Sequence, residues 1–552
     1  MRFSRRSFLA GASALSLPRR SKAQSIEAAV HCPVEWAFTS AKSYSNPFSD
    51  VDVDVIVRDP DGVELRIPAF WSGAQSWRVR YSPAKIGTHT WRTVSTDPSN
   101  TGLDDQQGTI VAAPYAGANP LYRHGPLRVA DDHRHFEHAD GTPFFWLADT
   151  WWMGLVKRLR WPEDFQVLAA DRQRKGFTVI QIVAGLYPDM PERDPRGANE
   201  AGFPYDAGYS EINPAYFDRA DVRIRHLVES NIVPCIVGCW GYYLPILGVE
   251  KMKRHWRYLI ARWGAYPAVW CLAGEGTMPY YLSKQPERDS AMQKAGWTEL
   301  AKYVRSISAN KNPITIHPSS SARTTVEDPA VLDFDMLQTG HSDRESIPNT
   351  VNKVTRSYAA VPTMPVVNGE VCYEGIQEAS RQEVQRFMFW ACVLSGAAGH
   401  TYGANGIWQV NTPEQPFGAS PHGRSWGDTP WQTAYQLPGS AQLGMAKGLL
   451  AKYPWWRMAP HPEWIEPHWS EQNYMQPYGA GIPGDLRIFY FPRTGSVNHK
   501  IVQLEPGVRY RALWWNPVSG KQTDLGTVTG AEEWHPPAPP IFQDYVLVME
   551  KS

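Results

Sequence analysis

Cysteine and long apolar runs are both scarce in this sequence. Six cysteines are spread over 552 residues, which is too few for the disulfide framework that holds small secreted domains together. No uncharged apolar run approaches the roughly 20 residues that a membrane-spanning helix needs. The sequence therefore excludes a small disulfide-stabilised protein and predicts no membrane span.

An excess of charge of either sign is also missing. Lysine plus arginine and aspartate plus glutamate both total 55. Because the first 24 residues hold six basic and no acidic side chains, the remainder carries 49 basic against 55 acidic side chains, a net charge of −6. A chain of this charge has no electrostatic reason to bind nucleic acid, so we expect no nucleic-acid partner.

The motifs of several cofactor-dependent enzymes are absent or out of context. The sequence has no P-loop and no Gly-x-Ser-x-Gly nucleophile elbow. Residues 479–484 match Gly-x-Gly-x-x-Gly, but Pro483 interrupts them and no predicted helix follows, so they carry no dinucleotide signal. His133 and His135 face one side of an extended strand and His138 the other, whereas metal ligation needs convergence. We expect neither a cofactor nor a metal ion.

The first 24 residues have the pattern of an export signal. Arg5 and Arg6 stand in the sequence SRRSFL, a short apolar run follows at residues 8–17, and small residues lie near position 23. This order is typical of a twin-arginine signal peptide, which predicts a soluble protein in the periplasm or outside the cell. An ordinary secretory signal and a disordered tail are the alternatives.

Aromatic residues, in contrast, are plentiful. The chain has 24 Trp, 25 Tyr and 19 Phe. Such side chains pack in cores, and they also stack on flat apolar ligand faces such as those of sugar rings. The composition therefore favours a carbohydrate ligand.

Alternating patterns on both sides of the central region predict two β-sandwiches. From about residue 34 to 111, short runs of period-two alternation are separated by turns that include Asp-Gly, without a helical stretch. We place this first sandwich at residues 28–113. After Pro454 the alternation returns, with Pro-Gly, Asn-Pro and Ser-Gly turns, and we place a second sandwich at residues 456–552.

The central region, residues 118–455, alternates apolar runs with amphipathic stretches. Near-continuous apolar runs of strand length are typical of parallel sheets covered by helices, and eight strand–helix units are what a (β/α)₈ barrel requires. We therefore predict the α/β fold class, with a TIM barrel flanked by the two sandwiches; a doubly wound open sheet is the alternative. The apolar runs lie at residues 144–150, 177–185, 232–240, 268–275, 314–319, 334–341, 364–370 and 399–403. The helix candidates lie at residues 162–175, 216–230, 249–263, 289–308, 381–394 and 440–452.

Polar side chains end the predicted strands, and two of them are glutamates. Glu275 ends the fourth run and Glu370 the seventh, each directly after a glycine. Because the active sites of such barrels lie at the carboxyl ends of the strands, both side chains are expected at the same mouth. Glycoside cleavage needs one protonated and one ionised carboxyl group there, and two carboxylates in one cleft push their pKa values apart. An ion pair with an arginine is the alternative for either glutamate.

Further strand-end residues are candidates for binding a sugar. Carboxylate, amide and imidazole groups suit sugar hydroxyls, and aromatic rings suit stacking or the orientation of Glu370. For each of these residues packing or a bond to the backbone is the alternative. The candidates are Asp149, Trp152, Gln181, Trp240, His317, His341 and Tyr373. The insert at residues 186–213 is expected to shape the cleft.

Three segments resemble the apiosidase-like glycoside hydrolases. They are residues 136–152 (FEHADGTPFFWLADTWW), 368–375 (NGEVCYEG) and 401–409 (TYGANGIWQ). The preceding sandwich is similar to the Ig-like domain often fused in front of these enzymes, and the tail is similar to a collagen-binding-type module. The resemblance covers nearly the whole chain after the signal.

The resemblance implies roles for the two glutamates. In that family a (β/α)₈ barrel carries an acid/base carboxyl group after strand four and a nucleophile after strand seven, which implies Glu275 as acid/base and Glu370 as nucleophile of a retaining hydrolase. Family members often have Asp in a Gly-Gly-Asp context where Ala273, Gly274 and Glu275 stand, so the resemblance implies glycosidase chemistry without fixing the sugar. We expect a glycoside hydrolase acting on a plant or microbial polysaccharide or oligosaccharide. A non-catalytic polysaccharide- or matrix-binding protein on a degenerate barrel is the alternative, with a polysaccharide lyase as a third. The oligomeric state is not predicted.

Overall fold

The structure is a computed structural model, and it describes residues 24–494 and 498–552. All but the last residue of the predicted export signal, residues 1–24, lies outside these ranges. None of the helices described has both the length and the apolar character that crossing a membrane requires. The predicted domain boundaries stay predictions.

Short strands near the amino terminus form a β-sandwich. They are β1 (Gln24–Ala29), β2 (Val34–Thr39), β3 (Val53–Arg58), β4 (Glu64–Pro68), β5 (Phe70–Gly73), β6 (Ser76–Tyr81), β7 (Gly87–Ser95) and β8 (Gln107–Ala113). One sheet has the order β1-β8-β7-β3-β4 and the other the order β2-β6-β5. Along β7, His89, Trp91 and Thr93 are buried while the residues between them are exposed. This alternation lets one face of each sheet enter a shared core that includes Trp36 and Trp77.

A small antiparallel sheet precedes the barrel. Its strands are β9 (Leu127–Val129), β10 (Phe136–His138) and β11 (Pro143–Phe144). The Phe136 ring lies 5.6 Å from Trp146 and 5.0 Å from Phe334, centroid to centroid. Both partners stand where barrel strands begin, so this sheet covers the amino-terminal end of the barrel.

The histidines of this sheet do not converge. His138 Nδ1 lies 2.8 Å from the Gly125 carbonyl oxygen, and His135 Nδ1 lies 3.0 Å from the Asp132 carboxylate. Across residues 24–494 and 498–552, no group of three or more His, Cys, Asp or Glu side chains is arranged to hold a metal ion.

Eight parallel strands form the barrel. They are β12 (Trp146–Trp151), β13 (Val179–Val183), β14 (Val233–Val237), β15 (Val269–Cys271), β16 (Ile314–Thr315), β17 (Asp335–Gln338), β18 (Val366–Glu370) and β19 (Gly399–Tyr402). Their order is β16-β15-β14-β13-β12-β19-β18-β17. Every residue of these strands is buried, because side chains fill the inside and helices cover the outside. The predicted α/β fold class with a TIM barrel is confirmed.

The barrel closes between β16 and β17 without a strand ladder. Hydrogen bonds join the two sides there, including one from the Ile314 N–H to the Asp333 carboxylate at 2.7 Å. The Asp333 N–H donates to the Ile314 carbonyl at 2.8 Å, and Thr315 Oγ1 donates to the Phe334 carbonyl at 3.0 Å. Side chains and a loop amide thus replace the regular pairing found between the other strands.

Helices surround the barrel and join its strands. They are α1 (Pro47–Asp50), α2 (Pro120–Arg123), α3 (Glu163–Arg174), α4 (Pro214–Glu229), α5 (Tyr243–Trp263), α6 (Pro286–Ile307), α7 (Ala322–Thr325), α8 (Ile347–Ala359), α9 (Gln382–Leu394), α10 (Trp431–Ala434) and α11 (Pro438–Leu450). Each helix candidate from the sequence overlaps one of them. Helix α8, between the sixth and seventh barrel strands, was not among the candidates, and the fifth strand is followed by only the single turn α7.

The carboxyl-terminal strands form a second two-sheet unit. They are β20 (Ala459–Pro460), β21 (Ile465–Glu466), β22 (Tyr478–Ile482), β23 (Leu486–Phe491), β24 (Lys500–Val502), β25 (Arg509–Trp515), β26 (Gln522–Thr529), β27 (Glu533–Trp534) and β28 (Tyr545–Lys551). The large sheet has the order β20-β22-β23-β28-β25-β26 and the small one β21-β24-β27. The Gly-x-Gly-x-x-Gly segment forms part of the β22–β23 hairpin, so it is no nucleotide-binding turn.

Both sandwiches pack on the barrel through aromatic rings and buried ion pairs. On the carboxyl-terminal side, Trp390 of α9 stacks on Tyr490 with centroids 6.2 Å apart, and Arg386 of the same helix pairs with Asp544 at 2.8 Å. On the amino-terminal side, Arg257 of α5 pairs with Asp54 at 2.6 Å. The barrel is therefore held from two sides.

Candidate active site

A cavity of about 160 Å³ opens at the carboxyl ends of the barrel strands. This is the end at which TIM-barrel enzymes carry their active sites. The loops that follow the strands build its walls. Six of the residues proposed from the sequence line it: Trp152, Trp240, Glu275, His341, Glu370 and Tyr373.

Glu370 is the last residue of β18, and it is only 6% exposed. Gly369 before it lets the strand pass close to its neighbour, since a Cβ at position 369 would lie 2.4 Å from Met336 Cγ. Two imidazoles flank the Glu370 carboxylate. His317 Nε2 lies 2.9 Å from Oε2, and His341 Nε2 lies 2.9 Å from Oε1. The nucleophile candidate is thus held at both oxygens.

The two imidazoles keep Glu370 ionised. Burial by itself raises the pKa of this carboxyl, but the contacts with His317 and His341 outweigh burial and lower the pKa to about 2. In return, burial lowers the pKa of His341, and the contact with Glu370 outweighs it and raises that pKa. Glu370 is therefore a carboxylate throughout the physiological pH range.

Glu275 follows β15 on a strained stretch of backbone. Gly274 before it lies against the Trp240 indole, where a Cβ would come within 2.2 Å of the ring. The φ angle of Glu275 itself is +45°, in the left-handed region that costs a residue other than glycine about 1–3 kcal/mol. The surroundings hold this conformation, which places the half-buried side chain on the cavity wall.

The Glu275 carboxyl binds its proton more tightly than a free glutamate does. Burial and the nearby charge of Glu370 raise its pKa. Gln338 opposes this in part, since its Nε2 donates to Glu275 Oε1 at 3.0 Å and favours the ionised form. The two carboxyl groups of one cavity therefore have pKa values shifted in opposite directions.

His317 connects the two glutamates. Its ring is fully buried, and its Nδ1 faces the Glu275 N–H at 3.5 Å. Because Nδ1 is the acceptor of this contact, the neutral ring carries its proton on Nε2, which faces Glu370. The contact with Glu370 is short but not well aligned, and among the described residues neither His317 Nε2 nor Glu370 Oε2 has a well-aligned hydrogen-bond partner. The Trp152 ring packs edge-on against His317 at 5.2 Å.

Aromatic rings form a flat side of the cavity next to Glu370. Tyr373 stacks on His341, with centroids 5.1 Å apart and planes 10° from parallel, and Trp408 lies 6.2 Å beyond it. Trp152 Nε1 donates a hydrogen bond to the Tyr373 hydroxyl at 3.0 Å. Burial raises the pKa of Tyr373, so its hydroxyl stays neutral.

The structure does not bring Asp149 and Gln181 to the cavity. Asp149 is fully buried, and its Oδ2 receives a hydrogen bond from Arg172 Nε at 2.6 Å. Gln181 is also fully buried, and its Nε2 donates to the Gly369 carbonyl at 2.8 Å. Asp149 therefore neutralises a buried arginine, and Gln181 supports the backbone just before Glu370.

The cavity also contains residues that sequence reasoning missed. Gln338 ends β17 and Trp408 lies in the third family-like segment, so strand-end position and motif were available as signals. Asp189, Tyr281 and Trp426 lie in loops without a repeating pattern. Asp189 lies in the insert that was expected to shape the cleft, and for Tyr281 and Trp426 the sequence offered no signal.

The arrangement as a whole is suited to glycoside cleavage. That reaction needs a protonated carboxyl group to protonate the leaving oxygen and an ionised one to attack or stabilise the anomeric carbon. Glu275 and Glu370 line one cavity with pKa values shifted in these two directions. The surrounding imidazoles and indoles supply hydrogen-bonding groups and stacking faces for a sugar ring.

Comparison with known proteins identifies two segments of the chain. Residues 130–457 match the sequence model described as "Apiosidase-like, catalytic domain", and residues 28–96 match a domain of unknown function, DUF5060. None of the curated proteins matches the chain.

Solved structures share the fold at low sequence identity. A glycoside hydrolase is 23% identical, with 79% of this chain and 98% of that one aligned and a TM-score of 0.65. A glycoside hydrolase family 5 protein from Bacteroides vulgatus is 22% identical, with 80% and 95% aligned and a TM-score of 0.66. A candidate glycoside hydrolase from the same species is 16% identical, with 96% and 100% aligned and a TM-score of 0.68.

The family match and the site coincide in the chain. The matched segment holds the whole barrel, both cavity glutamates and the loops around them. It spans more than half of the 552 residues. The protein therefore belongs to the apiosidase-like family and is a glycoside hydrolase.

Proposed function

We propose that the enzyme hydrolyses glycosidic bonds of a plant or microbial polysaccharide or oligosaccharide with retention of anomeric configuration. Glu370 is the nucleophile and Glu275 the acid/base. One observation carries the proposal: the carboxyl groups of Glu370 and Glu275 line the same cavity with pKa values shifted in opposite directions. Each is thereby prepared for its role at one pH.

In the first step the Glu370 carboxylate attacks the anomeric carbon while the Glu275 carboxyl donates its proton to the leaving oxygen. The bond from the anomeric carbon to that oxygen breaks, and a glycosyl ester of Glu370 forms. Glu275 is left ionised and Glu370 neutral. The repulsion between two carboxylates, which favours the protonated form of Glu275 beforehand, is removed in this step.

In the second step Glu275 accepts a proton from water as the water oxygen attacks the anomeric carbon. The ester bond to Glu370 breaks, and the carboxylate returns to its place between His317 and His341. Both glutamates then have their starting protonation. Two successive displacements give a product with the configuration of the substrate.

The nucleophile assignment is tested with Glu370→Gln. This change keeps the size of the side chain and removes its charge, so turnover is expected to fall at least about 1,000-fold with the fold intact. Glu378→Gln, which removes an exposed carboxylate from the same loop, is the matched control and is expected to keep normal turnover. Near-normal turnover of Glu370→Gln contradicts the assignment.

The stereochemistry is tested by proton NMR of the first-formed product. The substrate comes from a panel of aryl glycosides and plant and microbial polysaccharides, including apiosides because of the family name. Retention is expected, and an inverted first product contradicts double displacement.

The acid/base assignment is tested with Glu275→Ala. Without a proton donor, aryl glycosides with a good leaving group are expected to form the glycosyl-enzyme almost normally, whereas glycosides with a poor leaving group are not. Added azide is expected to restore release of the sugar as a glycosyl azide. Equal losses for good and poor leaving groups contradict the role of Glu275.

We propose further that the protein is exported by the twin-arginine route and acts in the periplasm or outside the cell. The support is the sequence pattern of residues 1–24, in particular Arg5 and Arg6. Replacing both arginines by lysine is expected to retain the protein in the cytoplasm. Unchanged export of that variant contradicts the twin-arginine route.

A further inference from the structure

A third carboxyl group faces the cavity that holds the two catalytic glutamates. It belongs to Asp189, at the start of the insert that follows β13. The two-carboxylate mechanism gives it no role. Its φ angle of +56° lies in the left-handed region, which aspartate tolerates better than most residues. The position of its side chain therefore depends on what holds the backbone there.

Hydrogen bonds of Tyr187 hold the backbone just before Asp189 in place. The hydroxyl groups of Tyr187 and Tyr216 lie 2.5 Å apart, and the Tyr242 hydroxyl donates to the Tyr187 carbonyl at 2.7 Å. Both tyrosine partners come from other parts of the barrel. The backbone that leads into Asp189 is therefore held at two points. These contacts restrict the orientation of the Asp189 side chain.

The other side of Asp189 is fixed by a tyrosine across the cavity rim. The Asp189 N–H donates to the Tyr281 hydroxyl at 3.1 Å. The Tyr281 ring in turn contacts the His422 ring at 5.1 Å. These three residues come from the loops after β13, β15 and β19, and together they form one wall, which we name the Asp189 wall.

Carboxyl groups are prominent in the lining of the cavity. The described residues that line it include three carboxyl groups and two imidazoles, but no lysine or arginine. Burial raises the pKa of Asp189, and the charge of Glu370 adds to this, so the place is unfavourable for a further anion. Hydrogen bonds from Tyr281 and Ser420 oppose the shift in part. A ligand carboxylate there would face three acidic side chains without a fixed cation. Sugar hydroxyls, in contrast, are good donors to a carboxylate.

We propose that Asp189 is a specificity-determining residue: it accepts hydrogen bonds from hydroxyl groups of an uncharged sugar ring bound next to Glu370, and it excludes uronic acids. This inference rests on the proposed function and adds the class of sugar, a single neutral monosaccharide unit. The cavity of about 160 Å³ is small beside the ~300–1,000 Å³ typical of sites for drug-sized ligands, which agrees with one ring.

The experiment compares neutral 4-nitrophenyl glycosides with the 4-nitrophenyl uronides of the same configuration. Asp189→Asn keeps the shape of the side chain and removes its charge. Glu211→Gln is the matched control, because it removes a charge from the same insert at an exposed position. kcat and KM are measured for the wild-type chain and both variants, and a melting curve checks that each variant is folded.

The wild-type enzyme is expected to prefer the neutral glycoside over the uronide at least about tenfold in kcat/KM. Asp189→Asn is expected to lower kcat/KM for the neutral glycoside about tenfold or more, mainly by raising KM. The ratio of kcat/KM for the neutral glycoside to that for the uronide is expected to decrease. Glu211→Gln is expected to change neither. The loss in Asp189→Asn is expected to disappear for the deoxy glycoside that lacks the bound hydroxyl.

Tyr281→Phe provides a second variant that keeps every charge. This change removes the hydroxyl that holds Asp189. It is expected to lower kcat/KM for neutral glycosides as well, but by a smaller factor than Asp189→Asn. The proposal is overturned if folded Asp189→Asn has wild-type KM and wild-type preference, or if the wild-type enzyme prefers the uronide. Those results leave hydrolysis itself intact, whereas a wild-type chain that cleaves no glycoside overturns the proposed function and this inference together.

Discussion

Glu370 and Glu275 differ in the groups that surround each carboxyl. Imidazole nitrogens at 2.9 Å face both oxygens of Glu370, while one amide at 3.0 Å faces one oxygen of Glu275. The imidazoles outweigh burial and lower the pKa of Glu370, whereas burial and the charge of Glu370 outweigh the Gln338 amide and raise the pKa of Glu275. Because Gln338 Nε2 donates to Oε1, we expect the proton of neutral Glu275 to be carried on Oε2.

The pH dependence of the enzyme follows from these signs. Glu275 must be protonated for the first step, so kcat/KM is expected to fall as the pH rises through its raised pKa. Glu370 must be ionised, and with a pKa of about 2 it limits activity only in strong acid. Gln338→Leu removes a hydrogen bond that lowers the pKa of Glu275, so the falling limb is expected to move to higher pH. The measurement is kcat/KM against pH.

Gln377→Leu is the control for this prediction. The same side-chain replacement at an exposed position of the loop after β18 is expected to leave the falling limb in place. If kcat/KM of Gln338→Leu instead falls at a lower pH than that of the wild-type enzyme, the contact with Gln338 does not lower the pKa of Glu275.

Asp149 is expected to affect stability and not substrate binding. It is fully buried against Arg172, whose other carboxylate partner is Asp171. Asp149→Asn leaves the buried guanidinium short of one negative charge, which is expected to cost about 3 kcal/mol of unfolding free energy. Chemical denaturation measures this cost, and KM for any glycoside is expected to stay within twofold. A large rise in KM without loss of stability contradicts this structural role.

Strand-end position was enough to place some site residues from the sequence and not others. Glu370 and His341 end apolar runs, and in a barrel such positions meet at one mouth. Asp149 ends a run as well, but its partner Arg172 lies on the next helix, a pairing that no local pattern reveals. Asp189 could not be found, because its position depends on contacts with Tyr281 and other loop residues far along the chain.

At the scale of secondary-structure elements, the burial pattern of each strand or helix decided whether it could be predicted from the sequence. The barrel strands are covered on both faces and therefore read as unbroken apolar runs. Helix α8 was missed although Ile347, Val351 and Val354 follow one another at helical spacing and are buried; a proline at its second position and the polar residues between them hid the pattern. Helix α7 is a single turn, which leaves no periodicity to detect.

The loops after β13, β15 and β19 together build one wall of the cavity. Their contact along the Asp189 wall closes one side of the site. We therefore expect the enzyme to remove terminal sugar units, so that a monosaccharide is the first product from an oligosaccharide. Size separation of the products at low conversion measures this. Early release of mixed internal fragments contradicts it.

At the scale of the whole molecule, the carboxyl-terminal sandwich completes the cover of the barrel. Helix α9 is buried along nearly its whole length because the barrel lies on one side of it and the large sheet on the other. The Arg386 guanidinium bridges the two through Asp544, and Tyr490 donates a hydrogen bond to the same carboxylate. The sandwich is therefore a structural part of the catalytic unit.

Asp544→Asn tests this coupling. The change leaves Arg386 buried without a counter-charge, which is expected to cost about 3–5 kcal/mol and to lower the melting temperature of the barrel. Asp524→Asn, which breaks an exposed pair with Arg511 in the same sandwich, is expected to leave the melting temperature unchanged. Separate melting of sandwich and barrel in the wild-type chain contradicts a shared unit.

The closure between β16 and β17 has a consequence for motion. With a few hydrogen bonds in place of a full ladder, we expect the barrel wall to open first along this line, so that amide hydrogens there exchange with solvent before those of the paired strands. Strand β17 ends at Gln338, the residue that orients the catalytic acid. We therefore expect each such opening to release the hydrogen bond from Gln338 to Glu275 as well, which would leave the proton donor less well oriented for the reaction.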